Sequence, residues 1–461
     1  MTTTAATPTA VTATTGDTRS AAPRTVRTAR ARTAPGRGLG PRFRALLVAS
    51  GAANLGDGIL VVAVPLLAIG FTRSPGRIAL ITAAAWLPWL LLGIVAGVVV
   101  DRADRRTVQL VALTSRATLL AAASWLATAG SLTFAWLLAV VLAYGITEVF
   151  ADLASHALVP DLVAADQLPT ANGRIVSVQE VTNTFLGAPL SGALLALGTG
   201  WVLGAPAGLA ALAVVVLWRG LPAARRPARP AAAPADAGRA TDTAPASGAA
   251  RRALADVREG LSLLMRHRVL RPLVLSGALV NMTSTAYMSV FVLWAVGPES
   301  RVGLSASLYP LLFTLSAVGA VVGSTLVPHV LTVVSEVRVM VLGWSTAFVA
   351  LVVPVLVPHP AALAATLLVV GVCVTLGNVV SQTVRQRIVP RELLGRTGGA
   401  SRTLVFGLMP VGALVGGAVA EHLGVAATLL GAVAVSVVVA AGLAASMRGV
   451  TPADLAAPGT R

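Results

Sequence analysis

Long hydrophobic runs separated by short polar segments fill most of the chain between residues 45 and 446. Their approximate limits are 45–70, 78–100, 108–129, 132–156, 173–198, 200–218, 270–296, 302–328, 337–357, 361–384, 398–420 and 424–446. A helix of about 20 residues, rising about 1.5 Å per residue, crosses the hydrocarbon core of a bilayer. The pattern therefore predicts an all-α integral membrane protein with twelve transmembrane helices, which we number spans 1 to 12.

A polar segment rich in proline, alanine and arginine divides the twelve spans into two sets of six. Residues 219–252 are typical of a flexible linker, whereas 253–268 has apolar residues at helical spacing and indicates an amphipathic helix at the membrane surface. The predicted organisation is a disordered tail, a first six-helix bundle, a linker region, a second six-helix bundle and a short tail, at 1–44, 45–218, 219–268, 269–447 and 448–461. Similar segments after spans 4 and 10, VPDLVAADQLPTANGR and VPRELLGRTGGASR, favour two parallel repeats.

Composition and charge support a membrane location. The chain is 56% hydrophobic and only 11% charged, whereas soluble domains carry about 25% charged residues. All 35 basic residues are arginine, and the connections on one side of the predicted topology contain only Arg73, Arg77 and Arg301. Cytoplasmic loops of membrane proteins are enriched in basic residues. We therefore expect the protein in the inner (plasma) membrane, with both termini in the cytoplasm. The net charge of +17 is then explained by topology rather than by nucleic-acid binding.

Several kinds of chemistry are excluded by what the sequence lacks. Without lysine, the chain has no P-loop lysine to hold ATP phosphates. Its single cysteine, Cys373, lies in an apolar run and can form neither an intramolecular disulfide nor a cysteine cluster for a metal. No nucleophile or nucleotide-binding constellation is present either, so we expect no cofactor, no metal and no enzymatic activity.

The loop between spans 2 and 3 carries the most distinctive polar motif. It reads GVVVDRADRR over residues 97–106 and contains Gly97, Asp101, Arg102, Arg105 and Arg106. Gly97 lies one helical turn from Asp101 and would let a neighbouring helix approach that face closely. The charges would also keep the loop in the cytoplasm, and a purely topological role stays open beside a conformational one.

This loop, together with SGAANLGDGILVVAVPLLA in span 1 and GITEVFADLASHALVPDLV in span 4, resembles the major facilitator superfamily. Within it, the chain is similar to the exporter branch that includes enterobactin exporters and many actinobacterial drug and macrolide efflux proteins. The resemblance covers residues 42–448 and implies the major facilitator fold. One glycine of the family pattern is absent, because Ala103 and Asp104 occupy its place, and the corresponding loop of the second half keeps only Glu336 and Arg338.

The resemblance also implies a conformational gate. In the family, the aspartate of the loop faces the start of span 11, here residues 396–401, where unpaired N–H groups and the helix dipole favour an anion. The arginines would pair with acids at the cytoplasmic end of span 4 and with lipid phosphates. Since this contact exists only when the cytoplasmic side is closed, the loop would favour the outward-open state.

Ionisable residues inside the predicted spans form a second candidate site. On insertion scales, a charge at membrane depth costs at least about 2.5–3.5 kcal/mol, so it calls for a partner or a function. Asp57 lies near the middle of span 1 and Arg116 lies in span 3, while Glu148, Asp152 and His156 follow one another on one face of span 4. We expect Asp57 and Glu148 near a central cavity, where either could bind a proton or a cationic or polar substrate.

Structural roles stay open for these residues. The acids of span 4 could instead form a network with Arg116 or Arg105, and Asp57 could take part in helix capping near Gly56. Polar amides in spans 1, 5, 7 and 10 could contact substrate, although hydrogen bonds between helices are their commoner use. These amides are Asn54, Asn183, Asn281, Asn378 and Gln382.

The function that fits these features is secondary active transport. We expect a monomer that exports a small amphipathic molecule, such as a drug, an antibiotic or a siderophore, by alternating access coupled to protons. Its partners would then be the substrate, protons and the lipid bilayer, without nucleic acid. An uptake symporter and a transport-inactive membrane sensor or scaffold of the same fold are the alternatives.

Overall fold

The predicted spans are helical in the structure, a computed structural model that describes residues 39–221, 258–389, 397, 401, 404–450 and 454. Most of the predicted tail 1–44, of the linker region 219–268 and of the segment 390–403 lies outside the described residues. We number the helices α1 to α12 by the span that each one forms. Ten of them are Gly40–Ile69 (α1), Pro75–Arg102 (α2), Arg105–Thr128 (α3), Phe134–Leu162 (α4), Thr199–Gly220 (α6), Leu270–Ala295 (α7), Tyr309–Val330 (α8), Pro360–Ile388 (α10), Met409–Leu423 (α11) and Val425–Ser446 (α12).

Two spans are composite. The α5 span runs through Leu168–Glu180, a π-helical segment Val181–Gly187, and Ala188–Leu197, while α9 joins Glu336–Ala350 to a short helix Val353–Leu356. Among the described residues, eleven helices are long and apolar enough to cross a membrane. The twelfth predicted span is α5, which is helical throughout but changes its hydrogen-bond pattern in the middle. The all-α prediction is confirmed, and the described residues contain no strand beyond an isolated bridge.

Local chemistry sets several helix ends. The side chains of Ser74, Asp104 and Thr133 each accept a hydrogen bond from the backbone N–H three residues later, which is the usual role of an N-cap. The chain reverses direction at Gly198 and Gly424, whose φ angles of 123° and 89° suit glycine and strain other residues. Short connections between α5 and α6 and between α11 and α12 are therefore possible.

The structure corrects the predicted start of span 8 and describes only part of the amphipathic helix predicted at 253–268. The sequence places span 8 at 302–328, but residues 302–308 belong to the preceding connection, where Leu304 pairs with Val296 through a backbone bridge. The helix begins only at Tyr309, with Pro310 in its first turn. Of the amphipathic helix predicted at 253–268, residues 258–266 are helical, and residues 253–257 lie outside the described set.

The helices form a bundle whose two ends we name by their connections. The basic end carries the connections after α2, α4, α8 and α10, and the opposite end carries those after α1, α3, α5, α7, α9 and α11. Within the bundle, α2 packs along α11 and α5 packs along α8. These two helix pairs join the first six helices to the second six.

Three apolar cores show how the two halves meet. Near the opposite end, one core contains side chains of both halves, including Leu66, Ile81, Phe291 and Leu363. Near the basic end, each half has a core of its own. The first half contributes Phe43, Leu113, Leu158 and Leu217 to its core, and the second contributes Leu273, Met340, Val384 and Leu443 to the other. The described residues of the two halves thus share an interior at the opposite end and have separate interiors at the basic end.

Candidate functional site

Asp57 and Arg116 form a buried ion pair in the middle of the first half. The distance from Arg116 Nη1 to Asp57 Oδ1 is 2.7 Å, and the two side chains are 3% and 11% exposed, with the arginine the more buried. The residues lie near the midpoints of α1 and α3, so the pair sits at membrane depth. Each charge neutralises the other, and this makes both tolerable in an apolar bundle.

Tyr144 on α4 contacts both members of this pair. Its hydroxyl donates to Asp57 Oδ1, the oxygen that Arg116 also binds. Its ring lies against the guanidinium, 4.5 Å from the ring centroid to Arg116 Cζ, which is within the range of a cation–π interaction. Tyr144 is not among the residues predicted from the sequence. The signal was available, because the spacing of four that links Glu148 to Asp152 reaches Tyr144 when it is extended one step back.

Glu148 lies one turn from Tyr144 on the same face of α4. It is half-buried and makes no hydrogen bond or ion pair with another described residue, although it lies within electrostatic range of Asp57 and Arg116. One turn further, Asp152 lies 3.6 Å from His156 Nε2. Neither Glu148 nor Asp152 forms an ion pair with an arginine among the described residues, although both lie within electrostatic range of Arg116. The structural network with Arg116 or Arg105 that the sequence left open stays a prediction.

The α1 and α5 spans cross beside Asp57 at two facing glycines. A Cβ on Gly58 would collide with the backbone of Asn183, and a Cβ on Gly187 would collide with the backbone of Gly58. Asn183 belongs to the π-helical segment, and its side chain has no hydrogen bond with a described residue. Since π-helical segments often occur at functional sites, Asn183 stays a candidate for substrate contact, next to the residue that follows Asp57.

Two arginines of the 97–106 loop fasten it to the first half. Arg105 Nη1 lies 3.0 and 2.9 Å from the two carboxylate oxygens of Asp161, near the end of α4. Arg106 Nη2 donates to the carbonyl of Trp218 at 3.1 Å. Asp104 begins α3 as its N-cap. These contacts position the loop without involving the second half.

Gly97, Asp101 and Arg102 have a different environment. Asp101 and Arg102 are exposed and make no hydrogen bond or ion pair with a described residue. No described atom comes within 4 Å of a Cβ placed on Gly97, so the close helix approach expected there is not present in this structure. The partner expected for Asp101, the start of span 11, falls mainly on residues outside the described set. Separate cores at the basic end explain why Gly97 faces no neighbour.

At the opposite end, polar contacts cross between the halves. Glu421 at the end of α11 accepts a hydrogen bond from the backbone N–H of Gly76 at 3.0 Å. Arg73, in the connection between α1 and α2, donates to the carbonyl of Val296 at 3.0 Å. The opposite end is thus joined by hydrogen bonds in addition to the shared apolar core.

The comparison with known families agrees with this architecture. The sequence pattern of the transmembrane secretion effector family matches residues 39–458, which is most of the chain. The chain belongs to this family. It is therefore a multi-pass membrane transporter of the major facilitator superfamily, as the sequence motifs implied, and members of this family are transporters rather than enzymes.

Curated relatives and solved structures are consistent with this membership. The multidrug efflux pump Tap of Mycobacterium tuberculosis is 26% identical over 415 residues, covering 85% of this chain and 90% of the pump, and Tap of Mycobacterium bovis gives the same values. The nucleoside transporter NupG superposes with a TM-score of 0.61 at 14% identity, covering 88% of this chain and 99% of that structure. An inward-facing, unoccupied bacterial homologue of the human lysosomal transporter Spinster gives 0.62 at 15%, covering 90% and 98%. These two structures show the fold.

Four of the five amides singled out in this transporter are held by hydrogen bonds to other described residues, three within their own helix and one between helices. Asn54 and Asn281 each donate to the carbonyl four residues earlier in their own helix, both at 2.9 Å. Asn378 accepts from the indole N–H of Trp344 on α9 at 3.1 Å, and Gln382 accepts from the arginine three residues after it. These four side chains therefore have structural contacts, and Asn183 differs from them.

Proposed function

We propose that this transporter exports a small amphipathic molecule from the cytoplasm across a bacterial inner membrane in exchange for protons. The observation that carries the proposal is the buried Asp57–Arg116 pair with a second acid, Glu148, close by and without an ion-pair partner among the described residues. The similarity to Tap, a multidrug efflux pump, supports the direction of transport. The arginine-rich connections support a basic end, with both termini, on the cytoplasmic side.

Glu148 is the residue to which we assign exchange. A carboxylate at membrane depth without an ion-pair partner is held neutral by a proton or is neutralised by a bound cation. Proton and cationic substrate would therefore compete for the same carboxyl group, and this competition makes their movements opposite. Asp57 is already neutralised by Arg116, so it is less available for either.

Arg116 would respond to the state of Glu148. Its Nε is buried and has no hydrogen-bond partner among the described residues, so the guanidinium has a donor to offer a second carboxylate. When Glu148 loses its proton, Arg116 would be drawn toward it and away from Asp57, because the two acids then compete for one cation. A shift of this kind would link proton release to movement between α1, α3 and α4.

The two bundles would alternate by rocking. With the basic end in the cytoplasm, separate cores at that end and a shared core at the other correspond to an inward-facing state. A substrate would then enter from the cytoplasm and reach the acids of α4. The monomer contains both bundles and every residue that this cycle uses.

Aromatic residues between the halves favour a substrate with an apolar part. Trp86 on α2 stacks on Phe406, just before α11, with ring centroids 5.8 Å apart, and Trp89 lies 6.1 Å from the same ring. All three side chains are half-buried. Aromatic surfaces combined with an acid suit an organic cation, so we propose that the substrate is amphipathic and positively charged or polar.

The test is dye efflux from a host that lacks its major efflux pumps, with ethidium as the cationic probe. We expect the wild type to lower ethidium accumulation and an uncoupler to abolish this effect. Glu148→Gln should reduce the efflux rate at least about tenfold, the effect of about 1.4 kcal/mol on the rate-limiting step. Asp166→Asn, which alters an exposed acid in the connection between α4 and α5, is the matched control and should transport normally.

Efflux that survives both Glu148→Gln and the uncoupler would overturn proton exchange. Faster accumulation of ethidium in cells with the wild-type protein would instead indicate uptake. Membrane abundance of each variant is measured in parallel, so that loss of protein is separated from loss of transport.

A further inference from the structure

We propose that Glu421 is a gating residue that holds the opposite end closed by binding the start of α2 from the other half of the molecule. The proposal rests on the alternating access proposed above, but it concerns a residue outside the buried ion pair. The contacts of this residue do not involve any substrate.

Glu421 makes two hydrogen bonds through one carboxylate oxygen. Its Oε2 accepts from the backbone N–H of Gly76 and from the hydroxyl of Ser74, both at 3.0 Å. Backbone N–H groups in the first turn of a helix have no acceptor within that helix, and the helix dipole favours an anion there. The carboxylate of one half therefore satisfies an unpaired donor of the other half with a charge-assisted hydrogen bond.

The start of α2 does not need Glu421 in order to form. Ser74 already caps the helix, because its Oγ accepts from the N–H of Arg77 at 3.3 Å. Pro75 occupies the first helical position, which suits proline. Glu421 is exposed, so its removal leaves no cavity. What the carboxylate adds is a link between the halves rather than stability of either half.

The directions of α2 and α11 explain why an acid at this position acts as a gate. They pack against each other in opposite directions, so the end of α11 meets the start of α2 at the opposite end of the bundle. At the basic end of the same two helices, α2 ends and α11 begins, and the last turn of α2 carries Asp101. Each of the two helices thus carries an acid within its last turn, Asp101 on α2 and Glu421 on α11.

In this structure, only one of the two acids is engaged in a described contact. Glu421 binds the start of α2, and Asp101 is exposed. The shared core at the opposite end and the separate cores at the basic end match this difference. Opening the opposite end would separate Glu421 from Gly76, so the Glu421 contact exists in one state of the cycle and opposes the transition to the other.

Pulsed electron–electron double resonance, which measures the distance between two spin labels, tests the proposal on the full chain in lipid nanodiscs. In a Cys373→Ala background, spin labels at Ser131→Cys and Leu356→Cys report the width of the opposite end, and labels at Ala164→Cys and Val333→Cys report the basic end. The variants to compare are Glu421→Ala and Glu421→Gln. Glu299→Ala is the matched control, because Glu299 is an exposed acid at the same end without a hydrogen bond or ion pair to a described residue.

We expect Glu421→Ala to lower, by roughly fivefold, the ratio of molecules whose opposite end is closed to molecules whose opposite end is open. This is the scale of one exposed charge–helix contact with its hydrogen bonds. The basic end should narrow in the same samples. Glu421→Gln should have a smaller effect, because the amide oxygen still accepts hydrogen bonds but has lost the charge. Glu299→Ala should match the wild type.

Distance distributions of Glu421→Ala that coincide with those of the wild type at both ends would overturn the proposal. Glu421 is an exposed side chain, so we expect the variant to fold normally. An equal shift in Glu299→Ala would also overturn it, because the effect would then follow surface charge in general. The readout needs no substrate, so a shifted distribution in a chain that fails to export ethidium would leave this inference standing and count against the proposed function alone.

Discussion

The ring of Tyr144 lies 4.5 Å from the guanidinium carbon of Arg116, and both side chains bind the same oxygen of Asp57. One aromatic side chain therefore touches the cation through its face and the anion through its hydroxyl. The geometry of the ion pair depends on α4 as well as on α1 and α3, which carry the charges. Since Glu148 lies one turn away on α4, any displacement of Tyr144 would reach the acid to which we assign exchange.

Two substitutions of Tyr144 should separate these contacts. Tyr144→Phe keeps the ring and loses the hydroxyl, so we expect about 1.5–3 kcal/mol less stability, as for a hydrogen bond to a charged group. Tyr144→Leu also loses the cation–π contact and should cost about 1–2 kcal/mol more. Unfolding in detergent measures both, and ethidium efflux should fall in the same order.

Tyr287→Phe is the control for that comparison. Tyr287 is buried and donates to the carbonyl of Leu351 at 3.1 Å in the second half, away from the ion pair. It should lose about 1 kcal/mol of stability and keep its efflux rate. Equal efflux in Tyr144→Phe and Tyr144→Leu, each at the wild-type level, would show that Tyr144 does not position the pair for transport.

Removing one charge of the buried pair should destabilise the protein strongly. Asp57→Asn and Arg116→Gln each leave an uncompensated partner, a change that costs about 3–5 kcal/mol for buried pairs. The double variant leaves no net charge and should recover much of this loss in stability. A double-mutant cycle on thermal unfolding measures the coupling.

Transport should not recover together with stability. The double variant lacks the arginine that we expect to respond to Glu148, so its efflux should stay at least about tenfold below the wild type. A stable double variant with wild-type efflux would show that the pair serves the fold alone. If the double variant loses as much stability as the two single variants lose together, the two residues do not interact, and direct pairing is contradicted.

The crossing of α1 and α5 gives a steric prediction. Gly58→Ala places a methyl group against the backbone of Asn183, which cannot move without shifting the π-helical segment. We expect a loss of about 1–3 kcal/mol, as for overpacking in a core, and reduced efflux. Gly208→Ala on α6 is the control, because nothing lies within 4 Å of its Cβ, and it should be neutral or slightly stabilising. Equal unfolding temperatures for the two variants would contradict the close crossing.

Much of the fold could be predicted from the sequence because lipid imposes a simple rule on helix length and composition. Apolar runs located the twelve spans, and Asp57 and Arg116 lie in α1 and α3, the helices that correspond to spans 1 and 3. The start of α8 was wrong, since residues 302–308 are apolar enough to extend a span but are held in a connection by backbone pairing of Leu304 with Val296. Hydrophobicity does not distinguish these cases.

The candidate site could be predicted only in part, because pairing between distant residues leaves no local pattern. Asp57 and Arg116 are 59 positions apart, and nothing in either span names the other as its partner. The π-helical segment in α5 reads VTNTFLG, and its mixture of apolar and polar residues does not distinguish a π-helix from an α-helix. The close approach of Gly58 and Gly187 likewise involves residues far apart in the chain. Which end of the bundle is closed depends on the conformational state, and one sequence is compatible with more than one state.

We expect Asp101, in the loop motif at the end of α2, to oppose the effect of Glu421 at the other end of the bundle. Asp101 is exposed, and its side chain has no hydrogen bond or ion pair with a described residue. Asp101→Asn should therefore leave the opposite end closed and should slow the transition to the state in which the opposite end is open. Glu421→Ala should act in the opposite direction. A variant with both changes weakens both gates, and the ratio of the two states should return toward that of the wild type because free energies at distant, independent sites add. The spin-label pairs at the two ends measure this ratio, with Asp166→Asn as the control for surface charge at the basic end.

If membrane abundance of Asp101→Asn falls in proportion to efflux while its distance distributions match the wild type, the loop serves insertion alone. If the double variant is displaced as far as Glu421→Ala, the two acids do not oppose each other.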